Sequence, residues 1–473
     1  MSLIEKFNVS QASSIILSVA VMLIIGFLFT RITKKLHLPN VTAYIIAGII
    51  IGPNVLNIIP ISFINGSSFL ADIALAFIAF STGEFLRIDT FKNSGKVILI
   101  TLFESLLASI LVFIVTYFIL KINSLPFCIV LSALASATAP ASTMMTIRQT
   151  GSKGEFVNIL LQVIALDDIV ALLCYSIAIE ISKSEEVGFS VVTILKTMGI
   201  NIGIVLLGGL FGFLLKCLLP TKRTKDNRLI IAVAMLFTFC GICAPLGQSP
   251  LLGCMAMGIM YSNISKDDKL FKQLNYFSPP LLLLFFVRSG TSFNLNSLFN
   301  ASSISTVSLL VIGIIYFITR IIGKYAGSFI GLIITKQKKE IRNYLGLALI
   351  PQAGVAIGLA ALGAREIGGE LGDALQTIIL ASSVLYELIG PACAKLSLYL
   401  SHSYTTNVDE VIIEEIKNDG TPKTEVEKLI ERINEIKKNI PEHEKDEEEV
   451  FTEEAYEYFS EQYHRPGMIG RRK

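Results

Sequence analysis

The sequence predicts an all-α membrane protein with thirteen transmembrane helices. Three observations lead to this prediction: an apolar composition, a regular alternation of basic and non-basic loops, and two apolar segments that contain a central proline. Of the 473 residues, 52% are hydrophobic and 16% are charged, far from the composition of a soluble globular domain. A soluble enzyme is therefore excluded, and a net charge of +2 gives no reason to expect a nucleic-acid partner.

The thirteen predicted spans are apolar segments that approach or exceed the roughly 20 helical residues needed to cross a bilayer. They lie at residues 14–31, 40–60, 67–86, 97–119, 126–147, 156–181, 189–217, 229–246, 249–263, 273–293, 303–334, 343–364 and 374–400. Loops after odd-numbered spans are rich in Lys and Arg, and loops after even-numbered spans have almost none. By the positive-inside rule, we expect a multi-pass protein of the plasma membrane with its N-terminus outside and its C-terminus in the cytoplasm.

The fifth and twelfth spans are interrupted. The fifth reads SALASATAPASTMMTI and the twelfth LGLALIPQAGVAIGLA. Proline breaks a helix, and unwound backbone is tolerated at membrane depth only where it is buried or lines a cavity. If the seventh span links two inverted six-helix repeats, both breaks take the fifth place in a repeat, which indicates a transport site. The residues of this predicted crossing region are Thr138, Pro140, Ser142, Thr143, Pro351, Gln352 and Gly354.

Two adjacent acids, Asp167 and Asp168, lie half-way along the sixth span. An ionised Asp at the membrane centre costs at least about 2.5 kcal/mol, and such residues usually bind cations or carry protons. The eleventh span contains two bases, Arg320 and Lys324, that share one helix face. A buried cation needs a partner, and the Asp pair is the obvious one.

Three further features are weaker. Glu104 in the fourth span and Arg288 near the end of the tenth are secondary candidates for the site. The seven cysteines have no metal-ligand spacing and are interpreted as small core residues. Residues 1–402 form the predicted transporter domain, and residues 403–473 form a charged cytoplasmic tail with a short amphipathic helix near 423–440.

Six motifs together resemble a known family, the second class of monovalent cation:proton antiporters, which includes the NhaA- and NapA-type sodium/proton antiporters. They are HLPNVTAYIIAGIIIGPNVL, LADIALAFIAFSTGEFLRI, TAPAS at 138–142, ALDDIVAL at 165–172, RIIGKYAG at 320–327 and IPQAG at 350–354. The resemblance covers residues 10–400. It implies an NhaA-like fold with crossed discontinuous helices, and a homodimer whose mobile core moves past a dimerisation domain in an elevator-like motion.

The resemblance also assigns roles to the charged residues. Asp168 is expected to be the main cation ligand, and Asp167 to pair with the basic residue of the eleventh span. The family's Lys is usually followed three residues later by Gly, and by that spacing Arg320 occupies its position. We therefore expect Arg320 to pair with Asp167, with Lys324 as the alternative. Arginine cannot release its proton, so pairing with Arg320 favours one proton per cation, whereas pairing with Lys324 allows a two-proton, electrogenic cycle. The tandem Asp favours the electrogenic class by resemblance, so the sequence leaves both stoichiometries open.

The predicted function is sodium (or lithium)/proton antiport, with membrane lipid and monovalent cations as partners and no cofactor. The alternative is a potassium/proton antiporter or potassium efflux system. Those relatives usually lack one of the two acids and often have a nucleotide-binding tail, whereas this chain has both acids and a short tail. A transport-dead sensor on the same scaffold is less favoured, because Asp167, Asp168 and both breaks are intact.

Overall fold

The computed structural model describes residues 2–7, 10–35, 40–86, 95–139, 143–144, 146–147, 150–187, 191–220, 223–246, 248–265, 267–293, 298 and 307–404. These residues are predominantly helical and form no β-strand. The α-helices are α1 Gln11–Lys35, α2 Asn40–Ile51, α3 Ile61–Gly66, α4 Phe69–Thr82, α5 Gly95–Phe113, α6 Leu125–Leu134, α7 Glu155–Val187, α8 Val191–Leu218, α9 Lys225–Cys243, α10 Leu251–Ser265, α11 Asp268–Phe277, α12 Pro279–Thr291, α13 Leu309–Ile334, α14 Lys339–Ala348, α15 Gly354–Ile367 and α16 Gly369–Leu400. The predicted tail helix near 423–440 lies outside the described residues.

Each predicted span contains at least part of an α-helix. Within the described residues, 7 helices are individually long and apolar enough to cross a membrane, or up to 8 if a bent pair is counted as one span. The helices α2, α4, α6 and α10 are apolar but shorter. The all-helical membrane architecture is thus confirmed, whereas the number thirteen and the inverted repeats remain predictions.

Two predicted spans differ from the structure. The second was expected to run over residues 40–60, but α2 ends at Ile51, because Gly52 and Pro53 follow it and proline does not continue a helix. The tenth was expected to be one helix over residues 273–293. It is instead α11 and α12, which meet at a 47° bend, since the proline at Pro279 begins a new helix.

The two predicted interruptions are present. The helix α6 ends at Leu134, several residues before Pro140, which itself lies outside the described residues. The helix α14 ends at Ala348 and α15 starts at Gly354. The unwound stretches 135–139 and 349–353 lie together, because the N–H of Ala139 donates to the carbonyl of Pro351 at 2.9 Å. The central prolines therefore predicted the breaks, and the family resemblance implied that the two breaks lie together.

Helix α13 packs closely along α5 through glycines spaced one helical turn apart. A Cβ added at Gly327 would lie 2.5 Å from the carbonyl oxygen of Phe103, so only glycine permits this backbone approach. The glycines facing α5 are Gly323, Gly327 and Gly331. Small residues at this spacing let membrane helices touch at the backbone. The contact brings Lys324 on α13 beside Glu104 on α5.

Candidate ion-binding site

The ammonium of Lys324 lies at the centre of a buried polar cluster. Its Nζ is 2.8 Å from Glu104 Oε2 and 2.9 Å from Asp167 Oδ2, and all three side chains are 0% exposed. It also donates to the carbonyl of Ser136 and, at 3.0 Å, to Thr138 Oγ1. One cation thus joins α5, α7, α13 and the unwound stretch after α6. A buried charge is stable only when it is paired in this way.

Asp167 is fully engaged in this cluster. Its Oδ2 accepts from Lys324, and its Oδ1 accepts a short hydrogen bond from the hydroxyl of Ser105. The same hydroxyl lies 3.3 Å from Oε1 of Glu104. The sequence analysis did not single out Ser105, although its position next to an intramembrane acid was a usable signal.

Asp168 has the opposite environment. Its side chain is 2% exposed, yet neither carboxylate oxygen accepts a hydrogen bond from the described residues. Successive residues of a helix point about 100° apart, so Asp168 points in a different direction from Asp167, whose partner is Lys324. A buried carboxylate without donors carries a large desolvation cost. Binding a proton or a cation would remove that cost.

Arg320 does not pair with Asp167, so the preferred sequence assignment was wrong. Its Nε donates to the carbonyl of Ala135 at 2.9 Å, its Nη1 to that of Ile350 at 2.7 Å and its Nη2 to that of Ala137 at 2.5 Å. The guanidinium also lies over the ring of Tyr386, 4.6 Å from its centroid.

The physical reason is the chemistry of the two breaks. The carbonyls at the end of an interrupted helix have no intrahelical donor. A guanidinium has five N–H donors in a fixed fork and can serve several such carbonyls, whereas an ammonium acts as a point charge suited to carboxylates. The Gly spacing could not decide between the two bases, because both Arg320 and Lys324 are followed three residues later by glycine.

The other residues of the predicted crossing region hold the breaks together. Gln352 Nε2 donates to the carbonyl of Leu134 at 2.7 Å and lies 3.1 Å from the hydroxyl of Tyr316. Thr143 Oγ1 donates to the carbonyl of Ala348 at 3.2 Å. The carbonyl of the last residue of α6 therefore accepts a hydrogen bond from a side chain of the second break. The carbonyl of the last residue of α14 accepts one from a side chain of the first. Pro140 and Ser142 lie outside the described residues, and Gly354 is the first residue of α15.

The two secondary candidates for the site, Glu104 and Arg288, lie in different parts of the structure. Glu104 is part of the Lys324 cluster, whereas Arg288 is not near it. Arg288 donates to the hydroxyl of Ser67 at 3.2 Å and to the carbonyl of Ile64 at 3.0 Å. It therefore joins α12 to the α3–α4 connection. The seven cysteines are free.

Comparison with known proteins gives a consistent result. A sequence model of the family described as "Sodium/hydrogen exchanger, transmembrane" matches residues 16–391. The "Probable Na(+)/H(+) antiporter 3" of Methanocaldococcus jannaschii is 25% identical over 79% of this chain and 94% of its own length. The "Ammonium/H(+) antiporter subunit AmhT" of Alkalihalophilus pseudofirmus is 21% identical over 79% of this chain and 91% of its own.

The fold also matches a solved structure. The sodium proton antiporter MjNhaP1 from Methanocaldococcus jannaschii, determined at pH 8, superposes with a TM-score of 0.68 at 19% identity, covering 83% of this chain and 100% of that one. The family match spans most of the sequence and coincides with a buried site of acids and broken helices. The chain therefore belongs to the transmembrane sodium/hydrogen exchangers, and is an antiporter of the membrane rather than an enzyme.

Proposed function

We propose that this protein exchanges sodium, or lithium, for protons, and that Asp168 is the ligand for which the two compete. The observation that supports the proposal is the contrast between the two adjacent acids. Asp167 is held by Lys324 and Ser105, whereas Asp168 is equally buried and has no donor among the described residues. Hard cations prefer oxygen ligands, and a proton cancels the same negative charge. Occupancy by one therefore excludes the other.

The lysine pairing favours a two-proton cycle. The cluster contains three carboxyl groups, on Glu104, Asp167 and Asp168, and one ammonium, on Lys324. Its formal charge is −2 when all four groups are ionised, so two protons neutralise it. Lysine, unlike arginine, can give up its proton when its partner changes. We therefore assign the chain to the second, tandem-Asp class, with two protons exchanged per cation and net charge movement.

The site would move as part of a rigid core. Lys324 and Arg320 tie α13 to α5, α7 and both broken helices. We define the core as α5, α6, α7, α13, α14, α15 and α16, and the scaffold as α1, α2, α4, α9, α10 and α12. In the proposed mechanism the core carries Asp168 past the scaffold in an elevator-like movement, and the scaffold forms the contacts of a homodimer.

The first experiment tests cation and ligand together. Purified protein in proteoliposomes with an imposed pH gradient is challenged in turn with Na⁺, Li⁺ and K⁺. We expect Na⁺ and Li⁺ to dissipate the gradient, and Asp168→Asn to abolish the response. Potassium belongs in the series because one relative is named for ammonium, a cation of similar size. A strong K⁺ response without a Na⁺ response would establish the potassium alternative.

The second experiment tests the proton count. The same proteoliposomes are held at defined membrane potentials, and Na⁺-driven proton flux is compared between the parent protein and Lys324→Arg. We expect the parent flux to depend on voltage. A guanidinium at position 324 keeps its proton, so the variant should exchange one proton per cation and lose the voltage dependence. A voltage-independent parent would refute the two-proton cycle while leaving Asp168 as the ligand.

A further inference from the structure

A cavity of about 270 Å³ lies between core and scaffold, at one end of the helix bundle. It is lined by the end of α7, the end of α15, the start of α4 and the α9–α10 connection. Among the α7 residues that line the cavity, Leu172 is the nearest in sequence to Asp168. The two residues are about one helical turn apart, a rise of about 6 Å along the helix axis. The lining includes three acids and one base, with a formal charge of −2: Asp72, Glu180, Glu366 and Arg365.

The wall of this cavity also has a polar group without a hydrogen-bond partner. Tyr175 lines the cavity and is 5% exposed, and its hydroxyl has no hydrogen-bond partner within the described residues. A buried hydroxyl normally finds a partner. Water or a passing cation in the cavity could supply one, so the cavity is suited to a hydrated cation on its way to Asp168.

An ion pair in the lining of the cavity joins scaffold to core. Arg365 Nη2 donates to Asp72 Oδ1 at 2.8 Å, and Nη1 donates to Oδ2 at 3.1 Å. Asp72 lies in the first turn of α4, and Arg365 in the last turn of α15. An acid at a helix N-terminus and a base at a C-terminus are both favoured by the helix dipole. The two side chains form a bidentate ion pair that fixes one relative position of the two helices.

The helices α4 and α15 are otherwise joined through small or apolar contacts. A Cβ added at Gly358 of α15 would lie 1.9 Å from Leu75 Cδ2 of α4. Apolar contacts are non-directional and can re-form in another register, whereas the bidentate pair requires one relative position of the two side chains. Arg365 belongs to the core helix α15, and Asp72 to the scaffold helix α4. Displacement of the core along α4 must therefore separate Asp72 from Arg365.

We propose that Asp72 and Arg365 form a latch that stabilises the conformation in which Asp168 is reached through this cavity. The proposal rests on the exchange at Asp168 put forward above. A partly exposed ion pair contributes only a small stabilising free energy. Its loss would change the equilibrium constant between two conformations by about two- to fivefold. That is enough for a latch, which must bias the equilibrium without blocking the return movement. The apparent KM for a cation varies inversely with the fraction of protein in the accessible state.

The test compares cation affinity from the two sides of the membrane. Variants Asp72→Asn and Arg365→Gln, and the charge exchange Asp72→Arg with Arg365→Asp, are assayed for Na⁺-driven proton flux in vesicles of both orientations. We expect each single variant to raise the KM for Na⁺ on the cavity side, by up to about fivefold, and to lower it on the other side. The charge exchange should move the values part of the way back to those of the parent, because the ion pair re-forms while both charges then oppose the helix dipoles. Glu155→Gln is the matched control, because Glu155 forms an exposed ion pair with Lys338 (2.6 Å) away from the cavity.

A second measurement does not depend on transport. Ser176 lines the cavity, and labelling of Ser176→Cys by a membrane-impermeant maleimide is located by mass spectrometry, which separates it from the native cysteines. We expect labelling from one side only, slowed by the single latch variants and partly restored by the charge exchange. Unchanged labelling and KM in the single variants would overturn the latch, even if Asp168→Asn still abolished exchange. Loss of exchange in the parent protein, with the labelling pattern intact, would refute the transport proposal instead.

Discussion

The position of Lys324 between two carboxylates makes a quantitative prediction about stability. Replacing Lys324 with Met retains most of the side-chain volume but removes the charge. Glu104 and Asp167, both 0% exposed, then face each other without a cation. Removing one partner of a buried ion pair costs about 3–5 kcal/mol. Because two acids lose the same partner, we expect the free energy of unfolding to fall by the upper part of that range.

A double-mutant cycle separates this pairing from the one first expected for Arg320. If Lys324 is the partner, Asp167→Asn in the Lys324→Met background should cost much less than it does alone. The coupling between residues in contact is about 0.5–3 kcal/mol. In the Arg320→Leu background, Asp167→Asn should cost about as much as in the parent. The Arg320 change should itself be severe, because three buried carbonyls lose their donors at about 1–3 kcal/mol each.

The assay is reversible unfolding in mixed micelles, with the free energy of unfolding determined for the parent, the three single variants and both double variants. Thermal melting in detergent provides an independent ranking. Coupling of Asp167 to Arg320 that equals or exceeds its coupling to Lys324 would refute the geometry of the cluster, and with it the argument for a two-proton cycle.

Three further predictions follow from single contacts. Asp168→Asn should leave the melting temperature near that of the parent while abolishing exchange, because Asp168 has no hydrogen bond to lose in the described structure; a clear drop in melting temperature would contradict this. Gly327→Val should separate α5 from α13 and cost about 1–3 kcal/mol or more, whereas Gly209→Val, where an added Cβ meets open space, should be mild in the same melting assay. Gln352→Ala leaves the carbonyl of Leu134 without its donor and should lower the free energy of unfolding by about 1–3 kcal/mol; an unchanged value would show that this bond is unimportant.

The existence of the site was predictable, because intramembrane charges are expensive and therefore few. Asp167, Glu104 and Lys324 could be identified by their position within apolar segments alone. The two breaks were predictable for a similar reason, since a central proline is incompatible with a continuous helix. What these arguments could not give was the contact between elements far apart in the sequence.

The end of α6 shows one such limit. The proline predicts a break at Pro140, but the helix ends at Leu134. The intervening residues are small, and the hydroxyl of Ser136 bonds back to the carbonyl of Ala133 at 2.6 Å. Serine side chains compete with the helix for backbone groups, so the helix ends before proline requires it. This early ending releases two of the three carbonyls that Arg320 uses, those of Ala135 and Ala137.

The choice between the two bases shows the other limit, and explains why both types of base are present. Arg320 donates hydrogen bonds to backbone carbonyls, whose number is fixed by the fold. A guanidinium never loses its proton, so it can donate all of these bonds at all times. Lys324 pairs with carboxylates, whose charge would change with each proton or cation bound in the proposed exchange. A base that can itself change its protonation state can follow those changes. The order of the two along α13 thus matches two different partners: the guanidinium holds the broken helices together, while the ammonium contacts the acids of the proposed exchange site.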